Sequence, residues 1–362
     1  MPIAELGYRT WEGVRTGAGR RWLAITRSEV AIALKSSKLL RRFAMLAWVP
    51  ILYFCPFFLA IGYVANPDNE LAEGAVLTEI ATEFLPPGAI EQLRAHPESV
   101  LPAIWAIAFY VFFAYTQSFL SMVMVAIVGP PLIAKDLRSK AFLVYFSKPI
   151  EVWQYLLGKA MTVAFFVFTL TLFPALLLFA IGSALAPNLG TALATLPMLL
   201  RIAAAAALIA TPVALVALLL SSLTRDRRIA TFAWLAVWIF GEIAFRVLTV
   251  GGGSGFTPPP WAGLLSLREL TTRATAGVFE LDESIRGLLV LLGESGGRAE
   301  RMLRNIMSEM GDAQLERAGR GVDLVDLTSS GYPPSVSIAV LAGLSVVCYL
   351  LLRRRVLAPV RI

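Results

Sequence analysis

The chain has 362 residues, 57% of them hydrophobic and 16% charged, with a formal net charge of +7. Soluble domains carry about 25% charged residues, so a mean hydropathy of +0.70 excludes an ordinary water-soluble protein. The positive balance is not a nucleic-acid signature either, because it is partitioned in blocks between long apolar runs.

A hydrocarbon core of about 30 Å needs roughly 20 apolar residues of helix. Six stretches meet that length, near 43–64, 103–128, 160–185, 197–222, 229–250 and 335–352. They predict an all-α membrane protein with six transmembrane helices.

Residues 1–42 precede the first span and carry nine Lys/Arg against three acids. The first strongly apolar run starts too far in for a cleavable signal peptide, so none is expected. Trp22, Leu23, Ile25, Val30 and Ile32 run beside Arg20, Arg21, Arg27, Lys35 and Lys38. That pattern predicts a cytosolic amphipathic connecting helix lying in the membrane interface, its charges toward anionic headgroups.

The following loop, 65–100, holds seven acids against Arg94, and is expected on the outer side. Turn signals at Asn66-Pro67-Asp68 and Pro86-Pro87-Gly88 flank a short predicted helix over 75–84. His96, the single histidine, lies in this loop beside Pro97, and the Ser and Thr residues within the spans have no histidine partner, so no catalytic residue is assigned and no enzyme is expected. Cys55 and Cys348 fall inside predicted spans, and no His/Cys/Asp/Glu spacing suits a metal.

The second span places Tyr115, Thr116, Gln117 and Ser118 near mid-membrane, with Gln117 a candidate for a substrate path. Gly129-Pro130-Pro131 is predicted to break that span and bend the chain into the interface. In the basic loop 130–159, Leu132, Ile133, Leu137, Ala141, Phe142, Val144 and Tyr145 alternate with Lys135, Asp136, Arg138 and Lys140. A short interfacial helix would bury the first set and offer the second to a partner. Pro149 stops it by restricting Lys148.

Spans four and five are joined by a basic turn with Arg225, Arg227 and Arg228, and Arg201 reads as a snorkelling anchor at the end of span four. Glu242 and Arg246 sit four apart in span five, hence on one face. Intramembrane charges are costly; a substrate path and a structural ion pair both fit them. The glycine run 251–253 and 255 lacks the Lys-Ser/Thr of a phosphate-binding loop and reads as a hinge. Beyond it, Leu281, Ile285, Leu288, Leu289 and Leu292, then Met302, Leu303, Ile306, Met307 and Met310, follow helical spacing. They predict an extracytoplasmic helical cap within 251–334, with an interfacial hairpin as the alternative. The last span ends in a basic tail with Arg353, Arg354, Arg355 and Arg361. All the Lys/Arg-rich blocks fall on one side, which makes both termini cytoplasmic.

Several of these stretches together resemble a family. Arg27-Ser28-Glu29 before span one, Asp136-Leu137-Arg138-Ser139-Lys140, Tyr145-Phe146-Ser147-Lys148-Pro149 and Tyr155-Leu156-Leu157-Gly158-Lys159 resemble the permease subunits of ABC-2 type exporters. The resemblance implies a coupling helix between spans two and three, seated on a separate ATPase subunit that carries the ATP and Mg. It implies that Asp136, Arg138 and Lys140 face that subunit, with Leu137 and Lys148 in the same contact, and that Tyr145, Pro149 and Gly158 shape the elbow. It further implies a second permease copy or paralogue, a substrate path at their interface, and residence in the cell (inner) membrane. This chain itself would bind no cofactor. A non-transporting anchor that passes force to an extracytoplasmic accessory protein, and an ion-driven carrier using Glu242, are the alternatives.

Overall fold

A computed structural model describes residues 18–66, 75–85, 87–141, 145, 150–250, 259, 261–291 and 332–357. Among these the regular structure is entirely helical. Six helical stretches are long and apolar enough to cross a membrane: Lys38–Ala65, Pro97–Ser139, Val152–Ala184, Leu189–Leu223, Arg227–Thr249 and Pro334–Val356.

In chain order the helices are α1 (Arg21–Ser36), α2 (Lys38–Leu46), α3 (Val49–Ala65), α4 (Ala75–Phe84), α5 (Pro87–Ala95), α6 (Pro97–Val111) and α7 (Ser118–Ser139). They continue as α8 (Val152–Leu170), α9 (Leu172–Ala184), α10 (Leu189–Thr195), α11 (Pro197–Leu223), α12 (Arg227–Val250), α13 (Leu267–Val278), α14 (Leu281–Leu291) and α15 (Pro334–Leu357). Ser37 separates α1 from α2 by taking an extended backbone and accepting from the Leu40 amide at 3.1 Å. The helix over 75–84 forms as its periodicity predicts. Pro87, read as part of a turn, instead opens α5, where its fixed φ suits a first helical position.

Successive spans alternate in direction. The α7–α8 and α11–α12 connections and the end of α15 therefore share one end of the bundle, called here the basic end for Arg225, Arg227, Arg228 and Arg353–Arg355. At the far end aromatic packing joins three spans. Phe58 of α3 stacks on Trp105 of α6 with centroids 4.5 Å apart, and a Cβ at Gly182 of α9 would come within 2.7 Å of the Trp105 ring.

The structure departs from the sequence reading in two places. The first is the expected break at Gly129-Pro130-Pro131: α7 runs through it without interruption to Ser139. Two successive prolines remove ladder donors and disturb the turn. Ser221 of α11 repairs the disturbance from outside. Its hydroxyl accepts from the Ile133 and Ala134 amides at 3.1 and 3.0 Å and donates to the Pro130 carbonyl at 2.6 Å. Gly129 permits the approach, since a Cβ there would lie 2.9 Å from Cβ of Ala217. Residues 132–139 thus continue α7 rather than forming a separate helix. The helix stops at Lys140, whose φ of 55° lies in the left-handed region.

The second is narrower and concerns the start of the expected extracytoplasmic helical cap. Its first described part, residues 261–279, packs into the bundle: α13 lies against α11, α12, α15 and a π-type turn at Phe112–Gln117 that links α6 to α7. At Gly241 a Cβ would come within 2.7 Å of the Leu265 carbonyl oxygen. Gly241 precedes Thr249 by eight residues, so the chain dips about 12 Å below the far end of α12 before α13 begins. Leu267, Leu270 and Ala274 are buried, and Phe279 packs on Phe109 and Phe113 with centroids 6.4 and 5.7 Å away. The Thr271 and Thr275 hydroxyls turn back onto carbonyls of their own helix. Glu269 pairs with Arg273 within the helix and Arg268 with Glu242 of α12, so its charges are also engaged as it packs against the spans. In α14 the spacing read from sequence holds, with Leu281, Ile285 and Leu288 buried. The Met302–Met310 stretch lies outside the described residues.

Candidate functional site

At the basic end three elements meet over a buried lysine. Lys159 lies seven residues into α8 and is 1% exposed. An isolated ammonium at such a site would carry a large desolvation cost. Its three protons are all accommodated: Glu29 Oε1 of α1 at 2.6 Å, Asp136 Oδ2 of α7 at 2.8 Å, and the Leu132 carbonyl at 3.0 Å. Asp136 Oδ2 also accepts from the Tyr155 hydroxyl at 2.8 Å. Tyr145 packs on Tyr155 with centroids 5.4 Å apart, and both rings lie within 6 Å of the ammonium, at 5.9 and 5.4 Å. Burial pushes the Tyr145 phenol above its ordinary value, and the nearby Lys159 charge only partly offsets this.

The site is closed by a helix crossing. A Cβ at Gly158 would lie 2.8 Å from Cβ of Ile25 and 3.0 Å from the Trp22 carbonyl, so only glycine lets α1 sit this deep on α8. Thr26 then donates to the Gly158 carbonyl at 3.0 Å. Gly158 therefore serves a helix crossing rather than the elbow expected of it.

This geometry corrects the placement of Asp136. The sequence reading put it with Lys135, Arg138 and Lys140 on an outward face. Lys135, Arg138, Ser139 and Lys140 are exposed, whereas Asp136 is 6% exposed and points into the cluster. Helix geometry explains the split, because residue 136 lies about 200° around the helix from residue 138. Leu137 is half-buried against the core. Lys148 and Pro149 lie outside the described residues, as does the side chain of Gln117. Glu29, Tyr155 and Lys159 belong to the family-like motifs but carry no site role in sequence. A signal was present: Tyr155 and Lys159 are one turn apart, and Lys159 is a lone charge at the edge of an apolar run.

Glu242 and Arg246 form a second cluster. Glu242 Oε1 accepts from Arg246 Nε and from Arg268 Nη1, both at 2.8 Å, and Oε2 accepts from the Ser266 hydroxyl at 3.1 Å. The pair expected on one face of span five is formed, and it is extended by two residues of the dipping segment. Arg201, expected to snorkel, instead donates to the Phe279 carbonyl at 3.2 Å and pairs with Glu280. Glu280 follows α13 with φ 50°, a left-handed conformation that Arg201 helps to hold. Together Glu242 and Arg201 fasten both ends of α13 to the spans. Glu242→Gln is expected to lower stability by about 1–3 kcal/mol, because two guanidinium groups lose their counter-charge. Thermal unfolding in detergent measures this. Activity lost with stability unchanged would give Glu242 a direct role in the substrate path.

The chain matches no protein-family model, and no curated protein resembles it significantly. Among the described residues no three His, Cys, Asp or Glu side chains are placed to hold a metal ion. The node offers no activated nucleophile. What it can do is lock α1, α7 and α8 into one body.

Proposed function

We propose that this chain is the transmembrane permease subunit of an ATP-driven exporter of the ABC-2 type. A separate ATPase subunit hydrolyses ATP, and a second permease copy completes the membrane unit. One observation carries the reading: Glu29, Asp136, Tyr145, Tyr155 and Lys159 come from four separate stretches that resemble the family, and they converge on one buried node. Around it the amphipathic helix, the end of span two and the start of span three form a single block at the basic end. Lys135, Arg138 and Lys140 are its exposed cations on the α7 side. Such a block can receive a push from an ATPase and pass it to two spans at once. In this reading the basic end is cytoplasmic, as are both termini.

The membrane partner is supported by α12, only 11% of whose apolar window is buried within the chain. Phe232, Phe240, Ile243 and Val247 are exposed along it, a face suited to a second copy. The Glu242 carboxylate, already engaged by three donors, favours a structural role there over proton or ion carriage.

The test is co-purification of the tagged chain from its native membrane. An ATPase subunit is expected with the wild type and with Lys135→Gln, and at least tenfold less of it with Lys135→Glu/Arg138→Glu/Lys140→Glu, since reversed rim charges repel a complementary partner. Absence of any ATPase from the wild-type preparation would overturn the proposal.

A further inference from the structure

An apolar groove of about 460 Å³ runs between α8, α11 and α15. Ala160 and Ala164 on α8 and Ala210 and Ala214 on α11 hollow it out, and Trp153 and Tyr349 stand at its basic end. From Trp153 to Ala164 it extends about 16 Å along α8, roughly half of a hydrocarbon core of about 30 Å. That is the depth of one leaflet. Its two aliphatic hydroxyls have no donor left for a polar ligand: Thr211 donates to the Ala207 carbonyl at 2.8 Å and Ser345 to the Leu341 carbonyl at 2.7 Å.

Beyond Tyr349 the chemistry changes. Arg353 lies one turn further along α15 on the same face, and Arg353, Arg354 and Arg355 are all exposed. The acid beside Trp153 in the chain, Glu151, is occupied by the Trp153 indole at 2.5 Å and by the first turn of α8, whose capping box it forms. The groove therefore presents a leaflet-deep apolar slot, an aromatic belt at headgroup level and a cationic rim. We propose that it binds one anionic glycerophospholipid of the leaflet at the basic end, an acyl chain in the slot and the phosphate on Arg353. Guanidinium groups match phosphate oxygens through paired hydrogen bonds, and basic residues near a membrane surface select anionic lipid.

The experiment uses delipidated full-length protein and native mass spectrometry, with dioleoyl phosphatidylglycerol or dioleoyl phosphatidylcholine added as probe. One phosphatidylglycerol is expected to be retained about fivefold to tenfold better than phosphatidylcholine, in line with one basic contact. Arg353→Gln is expected to bring the two to parity. Thr211→Trp, at an exposed position lining the slot, is expected to remove the retained lipid, and matching helicity and elution volume show that both variants fold. Equal retention of the two lipids by the wild type, or a preference that survives Arg353→Gln, would overturn the proposal. So would a dimer that Thr211→Trp dissociates, which would make a second copy the occupant.

Discussion

Lys159→Met is expected to be the most damaging single exchange at the basic end, costing about 3–5 kcal/mol because it leaves two carboxylates buried without a cation. The node holds Glu29 and Asp136 against one lysine, so its members are not equivalent. Asp136→Asn leaves a one-to-one Lys159–Glu29 pair and an amide oxygen that the Tyr155 hydroxyl still reaches. Its cost is expected near 1 kcal/mol. Thermal unfolding in detergent separates the two, with a drop on the order of 10 °C for Lys159→Met and only a few degrees for Asp136→Asn. The triple variant Glu29→Gln/Asp136→Asn/Lys159→Met is expected to recover more than half of the loss, since replacing a buried ionic set as a whole is often tolerated. A triple variant as unstable as Lys159→Met would show that the packing around Lys159, rather than its charge, sets the cost.

The crossing of α7 and α11 carries the second large effect. Ser221→Ala removes the acceptor of two buried amides and the donor to one carbonyl. Leaving such a group unpaired costs about 1–3 kcal/mol, so with three groups affected a loss of about 3 kcal/mol or more is expected. Ser221→Cys, with a weaker donor and acceptor, should fall between wild type and Ala. Gly129→Val attacks the same crossing sterically, because the nearest obstacle, Cβ of Ala217, cannot rotate away. Unfolding midpoints of the three variants measure both effects. A Ser221→Ala protein as stable as wild type would mean that α7 accommodates its prolines without help.

The six spans were legible because length and hydropathy are local properties of a run of residues. The continuity of α7 was not. Read alone, Gly129-Pro130-Pro131 signals an end, and the hydroxyl that bridges it is contributed by a residue about ninety positions away. The dip of 261–279 was hidden for a related reason: α13 is rich in threonine, which reads as polar in sequence but here satisfies its hydroxyls on its own helix. At the node the residue types and their order along the chain were visible, as was the helical pattern of α7. What the pattern could not show was which charge turned inward, because Glu29 reaches Lys159 across 130 residues of sequence. Glu242 and Arg246 were legible as a pair, since their spacing is local, but their ties to Ser266 and Arg268 depend on the dip.

An unbroken α7 also behaves as a beam. Its 22 residues span about 33 Å, with the exposed cations near one tip and the π-type turn at the other. Pivoting where Ser221 and Gly129 pin it to α11, a tilt of about 5° along that length amounts to about 3 Å of relative travel between the tips. A hinge at the prolines would have absorbed such a movement locally. The sutured helix delivers it to the π-type turn, where Phe113 packs on Phe279.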